Sequence, residues 1–281
     1  MDDDKYLRAY FTEMIGTFAL VLVSAGVVVV TPRLPGAVAP WWSVVGIALA
    51  TGLVYGGMLA VTLPVSGGYL NPAITIMLWV FRKMDGARTT ALVLVQLLGA
   101  TMAALLVRYV MPGPDDILRA TRLGAPHLNL EFFNAAGAGL GPILKGVGVE
   151  LLLTLILTFA VFALAFDPRM TRGTTRLTPL WLALIVTALT VVGFPLTGGA
   201  LNPARWFGPA IAETTVSFLR GRAFEDHAIY WIGPIAGALI AGWMYGTLVL
   251  PSAEVERPAQ PAAGAAGAPV AAGSSLFRAR K

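Results

Sequence analysis

The chain has no cysteine, which removes disulfides, thiol catalysis and cysteine-based metal sites together. It has only two histidines, His127 and His227, too few for a zinc site built from His and Cys side chains. Charge is scarce too. Asp, Glu, Lys and Arg make up 12% of the 281 residues, about half the roughly 25% of a soluble domain. So few charges cannot cover the folded surface of a soluble protein of this length. That argues against a soluble enzyme, a disordered protein and a nucleic-acid binder. The pI near 9.7 invites an anionic partner. The excess is only +5, however, from 20 Lys+Arg against 15 Asp+Glu, and cationic loops on the inner side of a membrane account for it equally well. What is present instead is apolar: 57% hydrophobic residues and a mean hydropathy of +0.74. The chain reads as a membrane protein whose first partner is the lipid bilayer, with no nucleic acid, cofactor or metal.

The gaps between charged residues locate the spans, each of which needs about 20 mostly apolar residues. They predict six helices at roughly 10–30, 41–63, 89–110, 146–166, 177–196 and 229–250. The continuity of these runs, such as Ala19 to Val30, excludes the short alternating strands of a membrane barrel. Two uncharged gaps hold more than one span. After Pro64 and Ser66-Gly67-Gly68, a stretch from Asn71 to about Val80 is apolar but only about 15 Å long as a helix, half a hydrocarbon core. After Thr197-Gly198-Gly199, Asn202 to about Ala212 repeats that pattern. Broken backbone at membrane depth is tolerated only inside protein or along a watery cavity. Two re-entrant half-helices are therefore expected, in an all-α membrane protein.

The cation count sets the orientation. With Arg205 left aside, the side of the termini carries 12 Lys+Arg and the other side 7. The positive-inside rule then places both termini in the cytoplasm of a multi-pass cell-membrane protein. Residues 1–8 are net acidic, which does not suit a signal peptide, so the first span is expected to be retained. The expected organisation is a cytoplasmic N-terminus over 1–9, a channel domain over 10–250 and a disordered, Ala/Gly/Pro-rich cytoplasmic tail over 251–281. The channel domain divides into halves at about 10–110 and 146–250.

The two re-entrant pieces are near copies. Ser66-Gly67-Gly68-Tyr69-Leu70-Asn71-Pro72-Ala73 aligns with Thr197-Gly198-Gly199-Ala200-Leu201-Asn202-Pro203-Ala204 at six identical positions of eight. Each follows the second helix of a three-helix half, so the halves enter the membrane from opposite sides as an inverted repeat. Asn is a good helix N-cap, and Pro suits the first helical position because its missing N–H is no loss there. The chain has four Asn, and Asn71 and Asn202 are the two in the membrane region. One reading is that both merely cap helices. The symmetric pairing favours a pore, in which two helix N-termini and two side-chain amides meet a passing solute at the midplane. Arg205, three residues after Asn202, belongs with that reading, because an intramembrane Arg usually faces a watery cavity. Ile74 stands at its place in the first copy.

These features together resemble the aquaporins, the major intrinsic protein family. The resemblance covers about residues 8–250. It rests on both Asn-Pro-Ala motifs and on the run Asn202-Pro203-Ala204-Arg205-Trp206-Phe207-Gly208-Pro209-Ala210. It implies an aquaporin-like fold and a homotetramer in which each subunit has its own pore. It further implies that Glu13 and Glu150 brace the re-entrant loops, with interfacial charge as the alternative, and that Gln96 assists. By the family's pattern the selectivity filter falls at Thr51, Thr190, Gly199 and Arg205. Water-strict members have an aromatic ring and a His there, and glycerol-type members have two aromatics. This set has neither, and both histidines fall in expected external loops. The resemblance therefore implies a passive channel, not an enzyme, for water and a wider opening that admits small neutral solutes such as glycerol, urea, ammonia or metalloid acids. Ions and protons are excluded. Other markers pull towards the water side: Trp206 stands where glycerol-type members carry Asp, and Tyr230-Trp231 is similar to the pair in water-type members. Trp206 is alternatively an interfacial belt residue like Trp41 and Trp42. A secondary transporter of a small neutral solute is the competing reading. It would need ionisable groups for coupling, and no Asp falls in an expected span.

Overall fold

The computed structural model describes residues 3–33, 40–111, 113, 115–137, 139–170, 176–217 and 219–250. The expected disordered tail 251–281 lies outside the described residues. In chain order the helices among the described residues are α1 (Asp3–Val30), α2 (Pro40–Thr62), α3 (Pro72–Val80), α4 (Gly86–Val110), α5 (Asp115–Thr121), α6 (Leu140–Val161), α7 (Thr178–Thr197), α8 (Pro203–Glu213) and α9 (His227–Met244). No strand occurs among the described residues. α6 and α9 each run on into one wider π-helical turn, Phe162–Phe166 and Tyr245–Val249. Among the described residues six helical stretches, including these extensions, are long and apolar enough to cross a membrane.

Two boundaries differ from expectation for one reason. α1 begins near residue 3 rather than 10, and α6 at Leu140 rather than 146. Backbone hydrogen bonding carries a helix past the hydrocarbon into water, whereas hydropathy marks only the apolar part. The connection 111–142, expected to be a plain loop, contains the short helix α5, whose Leu118 is buried against α1 side chains.

The inverted repeat organises the packing. α1 lies along α4, α6 lies along α9, and α2 pairs with α7 across the pseudo-symmetry axis. Each half-helix packs on the third long helix of the other half, α3 on α9 and α8 on α4. The cores interlock accordingly. Ala73, Ile74 and Met77 of α3 join Leu153, Leu157 and Ala238 of the second half, while Ala204 and Ala212 of α8 join Ala100 and Ala104 of the first. Lipid tails are as apolar as these side chains, so close packing rather than water exclusion holds the helices together. Small residues supply it. A Cβ on Gly52 or Gly56 of α2 would run into Ala183 of α7, and one on Gly237 of α9 into the α6 backbone. Large apolar side chains such as Leu53, Leu94, Leu152, Val192 and Trp243 are exposed on the outside of the bundle, as a lipid-facing surface requires.

Candidate functional site

The two half-helices start nose to nose, and the same local chemistry builds each start. The loop before α3 has positive φ at Gly67 (107°), Gly68 (64°) and Leu70 (51°). The loop before α8 has it at Gly198 (80°), Gly199 (55°) and Leu201 (55°). A left-handed Leu costs about 1–2 kcal/mol, so something must hold each loop. A fully buried carboxylate does. Glu13 Oε1 accepts from Ser66 Oγ (2.6 Å) and Tyr69 N (2.8 Å), and its Oε2 accepts from Leu70 N (2.7 Å) and Gln96 Nε2 (2.9 Å). Glu150 Oε1 accepts from Thr197 Oγ1 (2.6 Å) and Ala200 N (2.9 Å), and its Oε2 from Leu201 N (2.8 Å). Neither Glu is at the interface; both are 0% exposed.

Each Asn then does two jobs. Asn71 and Asn202 sit in extended backbone at the N-cap, and their Oδ1 atoms accept from Ala73 N and Ala204 N, both at 2.9 Å. Their amides cross over. Asn71 Nδ2 donates to Leu201 O (2.9 Å) and Asn202 Nδ2 to Leu70 O (2.8 Å). Capping and pore readings are therefore not rivals. One amide hydrogen of each Asn ties the two loops together, and an amide has a second hydrogen to offer.

Three cavities follow one another past this point. The central one, about 20 Å³, is lined by Thr51, Thr190, Gly199, Arg205, Asn71 and Asn202 among others. That is room for about one water. Tyr55 also borders a second, apolar cavity of about 10 Å³, whose walls include Leu59, Leu63, Ile74, Phe166 and Leu182. Arg205 also borders the third, a vestibule of about 270 Å³ with His127, Asn129 and Phe194 in its wall. Arg205 thus stands where a wide mouth narrows. It is 5% exposed, and its guanidinium donates from Nη1 to Gly124 O (2.8 Å) and from Nη2 to Ser24 O (3.2 Å). The arrangement offers hydrogen-bond donors, the positive ends of two helix dipoles and no nucleophile. It suits passage rather than reaction.

All four residues expected at the filter meet in the central cavity, as do both Asn. Two sequence-based readings need correction. Trp206 is no interfacial belt residue: it is 1% exposed, with its ring stacked on Tyr230 at 5.4 Å between centroids. His127 is in a connection, as expected, but that connection folds inward and puts the ring in the vestibule wall. Burial, then the nearby Arg122, push His127 below its usual value, so it is neutral at pH 7. Sequence reasoning also passed over Arg122, Glu213 and Asp226. They are separated by as much as 104 residues, from Arg122 to Asp226, and only the fold brings them together.

A model of the major intrinsic proteins matches residues 1–245. The chain belongs to the major intrinsic protein family. It is a passive channel for water and small solutes, and not an enzyme. Among similar curated proteins, aquaporin TIP4-4 of Zea mays is 36% identical over 251 residues, 88% of this chain and 89% of its own length. Aquaporin TIP2-1 of Arabidopsis thaliana is 34% identical, with 90% and 93% covered. Among solved structures, the aquaglyceroporin from Plasmodium falciparum superposes with a TM-score of 0.72 over 87% of this chain and 97% of its own, at 21% identity. At that identity it speaks for the fold of the channel.

Proposed function

We propose that the channel conducts water in single file, with small neutral solutes second, and excludes ions and protons. The meeting of Thr51, Thr190, Gly199 and Arg205 with both Asn in one cavity of about 20 Å³ carries this reading. Thr51, Thr190 and Gly199 offer less bulk than aromatic rings, which is what leaves solutes beyond water in play. A site that holds about one water puts water first. A solute leaving the vestibule accepts from Arg205, then meets the free amide hydrogens of Asn71 and Asn202 at the paired helix N-termini. A cation meets the Arg205 charge and the same positive helix ends, with few groups to replace its hydration shell. The Asn-Pro-Ala turns, Asn71-Pro72-Ala73 and Asn202-Pro203-Ala204, place the donors, while Glu13 and Glu150 hold the loops. Glu13 and Glu150 spend their oxygens on loop and side-chain donors, which leaves them no role in ion-coupled transport.

The protein acts in a cell membrane with both termini cytoplasmic, and the vestibule with His127 then opens outside. The cation asymmetry of the connections supports that orientation. Assembly as a homotetramer, one pore per subunit, fits the wide exposed apolar surface and the family. Proteoliposomes containing the channel will shrink or swell in osmotic stopped-flow faster than empty ones, with no ion or proton current. No gain over empty liposomes overturns the reading.

A further inference from the structure

The segment Arg122-Leu123-Gly124, just after α5, has three successive residues in the left-handed region, with φ of 46°, 53° and 79°. Two of them are not glycine, a conformation that persists only where the surroundings impose it. Two contacts do so. Gly124 is wedged against α1: a Cβ there would strike Ala25 Cα and O. Arg122 is caught by Glu213, its Nε donating to Oε1 (2.7 Å) and its Nη2 to Oε2 (3.0 Å). Nη2 also donates to Arg222 O (3.0 Å). This fork is buried, with Glu213 at 0% and Arg122 at 7% exposure.

Glu213 is the last residue of α8, and Arg205 lies in the first turn of the same helix. The carbonyl that accepts from Arg205 Nη1 is that of Gly124, two residues after Arg122. A closed frame results. α8 is one side and the strained segment 122–124 is the other. The Arg122–Glu213 fork and the Gly124–Arg205 bond are the rungs. We infer that Arg122 and Glu213 are positioning residues for Arg205, holding the Gly124 carbonyl where it fixes the guanidinium at the mouth of the narrow cavity. This rests on the reading of Arg205 as the filter cation. It assigns a structural cause to that residue's orientation which neither Asn-Pro-Ala motif supplies.

The frame is open to pH. Burial raises the Glu213 carboxyl above its usual value, against the pull of Arg122. The other charged groups that bear on the fork are Glu225, whose Oε1 is 4.0 Å from Arg122 Nη1, and Asp226, with Arg222 and His127 further around it. Above its pKa Glu213 is charged and grips Arg122; below it the carboxyl is neutral and the charge-assisted bonds are lost. His127 is shifted the other way by burial, so its step falls at lower pH.

The experiment is osmotic stopped-flow on full-length protein in proteoliposomes, between pH 5.5 and 8.5. Wild type, Glu213→Gln, Arg122→Gln, Arg205→Val and the two doubles with Arg205→Val are compared. Water flux per folded channel is expected to fall about fivefold in each frame variant, the scale of losing one ordinary hydrogen bond. It falls because an unpinned Arg205 swings into the passage. In the Arg205→Val background the same changes are expected to do nothing further, since no guanidinium is left to misplace. Wild-type flux falls towards the acid end of that range as Glu213 takes up a proton, and Glu213→Gln abolishes that step. Equal losses in both backgrounds overturn the positioning role and leave a merely structural one. A flux unaffected by either frame change also overturns it. If Arg205→Val alone leaves the solute-to-water ratio and ion exclusion intact, the filter reading fails instead, which is a separate result. Circular dichroism melts of each variant supply the folded fraction.

Discussion

The two re-entrant loops are the same device built twice and finished differently. Up to the start of the half-helix they agree nearly atom for atom. Each has a buried Glu, a hydroxyl and two backbone N–H groups upon it, a left-handed Leu and a crossing Asn amide. Three residues on they part. Ile74 faces an apolar cavity of about 10 Å³, and Arg205 faces both the central cavity and a vestibule of about 270 Å³. Symmetry supplies the frame, because two half-helices that cap and tie each other need matched ends. We propose that selection of what passes is asymmetric, because a single cation with backbone acceptors from α1 and from Gly124 is held on one side only.

Five changes probe that contrast, in falling order of expected effect. Glu150→Ala removes the acceptor of three buried donors, each worth about 1–3 kcal/mol when stranded. The second loop should lose its fold, seen as a melting temperature far below wild type and no flux. Ile74→Arg copies the cation into the first loop without its acceptors. Among mostly apolar walls, an unpaired Arg costs a few kcal/mol, so it should destabilise the protein or block the passage, where Arg205 does neither. Arg205→Val makes the two halves alike. Water flux should persist while ion exclusion weakens, and urea or glycerol uptake should rise about tenfold, in keeping with the loss of about 1.4 kcal/mol of discrimination. Thr51→Phe with Thr190→His narrows the same level from the other walls and should cut glycerol or urea flux more than water flux in solute-uptake assays. Smallest and most symmetric, Asn71→Ala and Asn202→Ala each remove a cap worth about 1 kcal/mol. Since their hydrogen bonds match within 0.1 Å, thermal melts should show nearly equal losses. Unequal losses would mean that the frame is less symmetric than its geometry.

Much of this was legible in the sequence because bilayer physics writes itself into charge spacing. The half-helices fall within about two residues of the uncharged surplus after each Gly-Gly break, and the octapeptide repeat announced their symmetry. That Thr51, Thr190, Gly199 and Arg205 fall at one level was reachable by counting from the motifs, and they line one cavity with both Asn. What could not be read was whatever depends on how a polar connection folds. Nothing in the stretch 111–142 signals that His127 turns into the vestibule. Nor does it signal that Arg122 finds Glu213 across 91 residues, because neither follows a helical or hydropathic period. Trp206 was ambiguous for the same kind of reason. An aromatic near a membrane surface suits a lipid belt or a buried stack equally well, and only Tyr230 decides it.

We propose that one asymmetric cation, Arg205, on a symmetric frame decides what passes. It is tested most directly by recording osmotic water flux and ion current in the same proteoliposomes for wild type and Arg205→Val. Fast water flux is expected in both, with no current in wild type and a measurable cation leak in the variant. Equal ion exclusion in the two, at equal water flux, would contradict it.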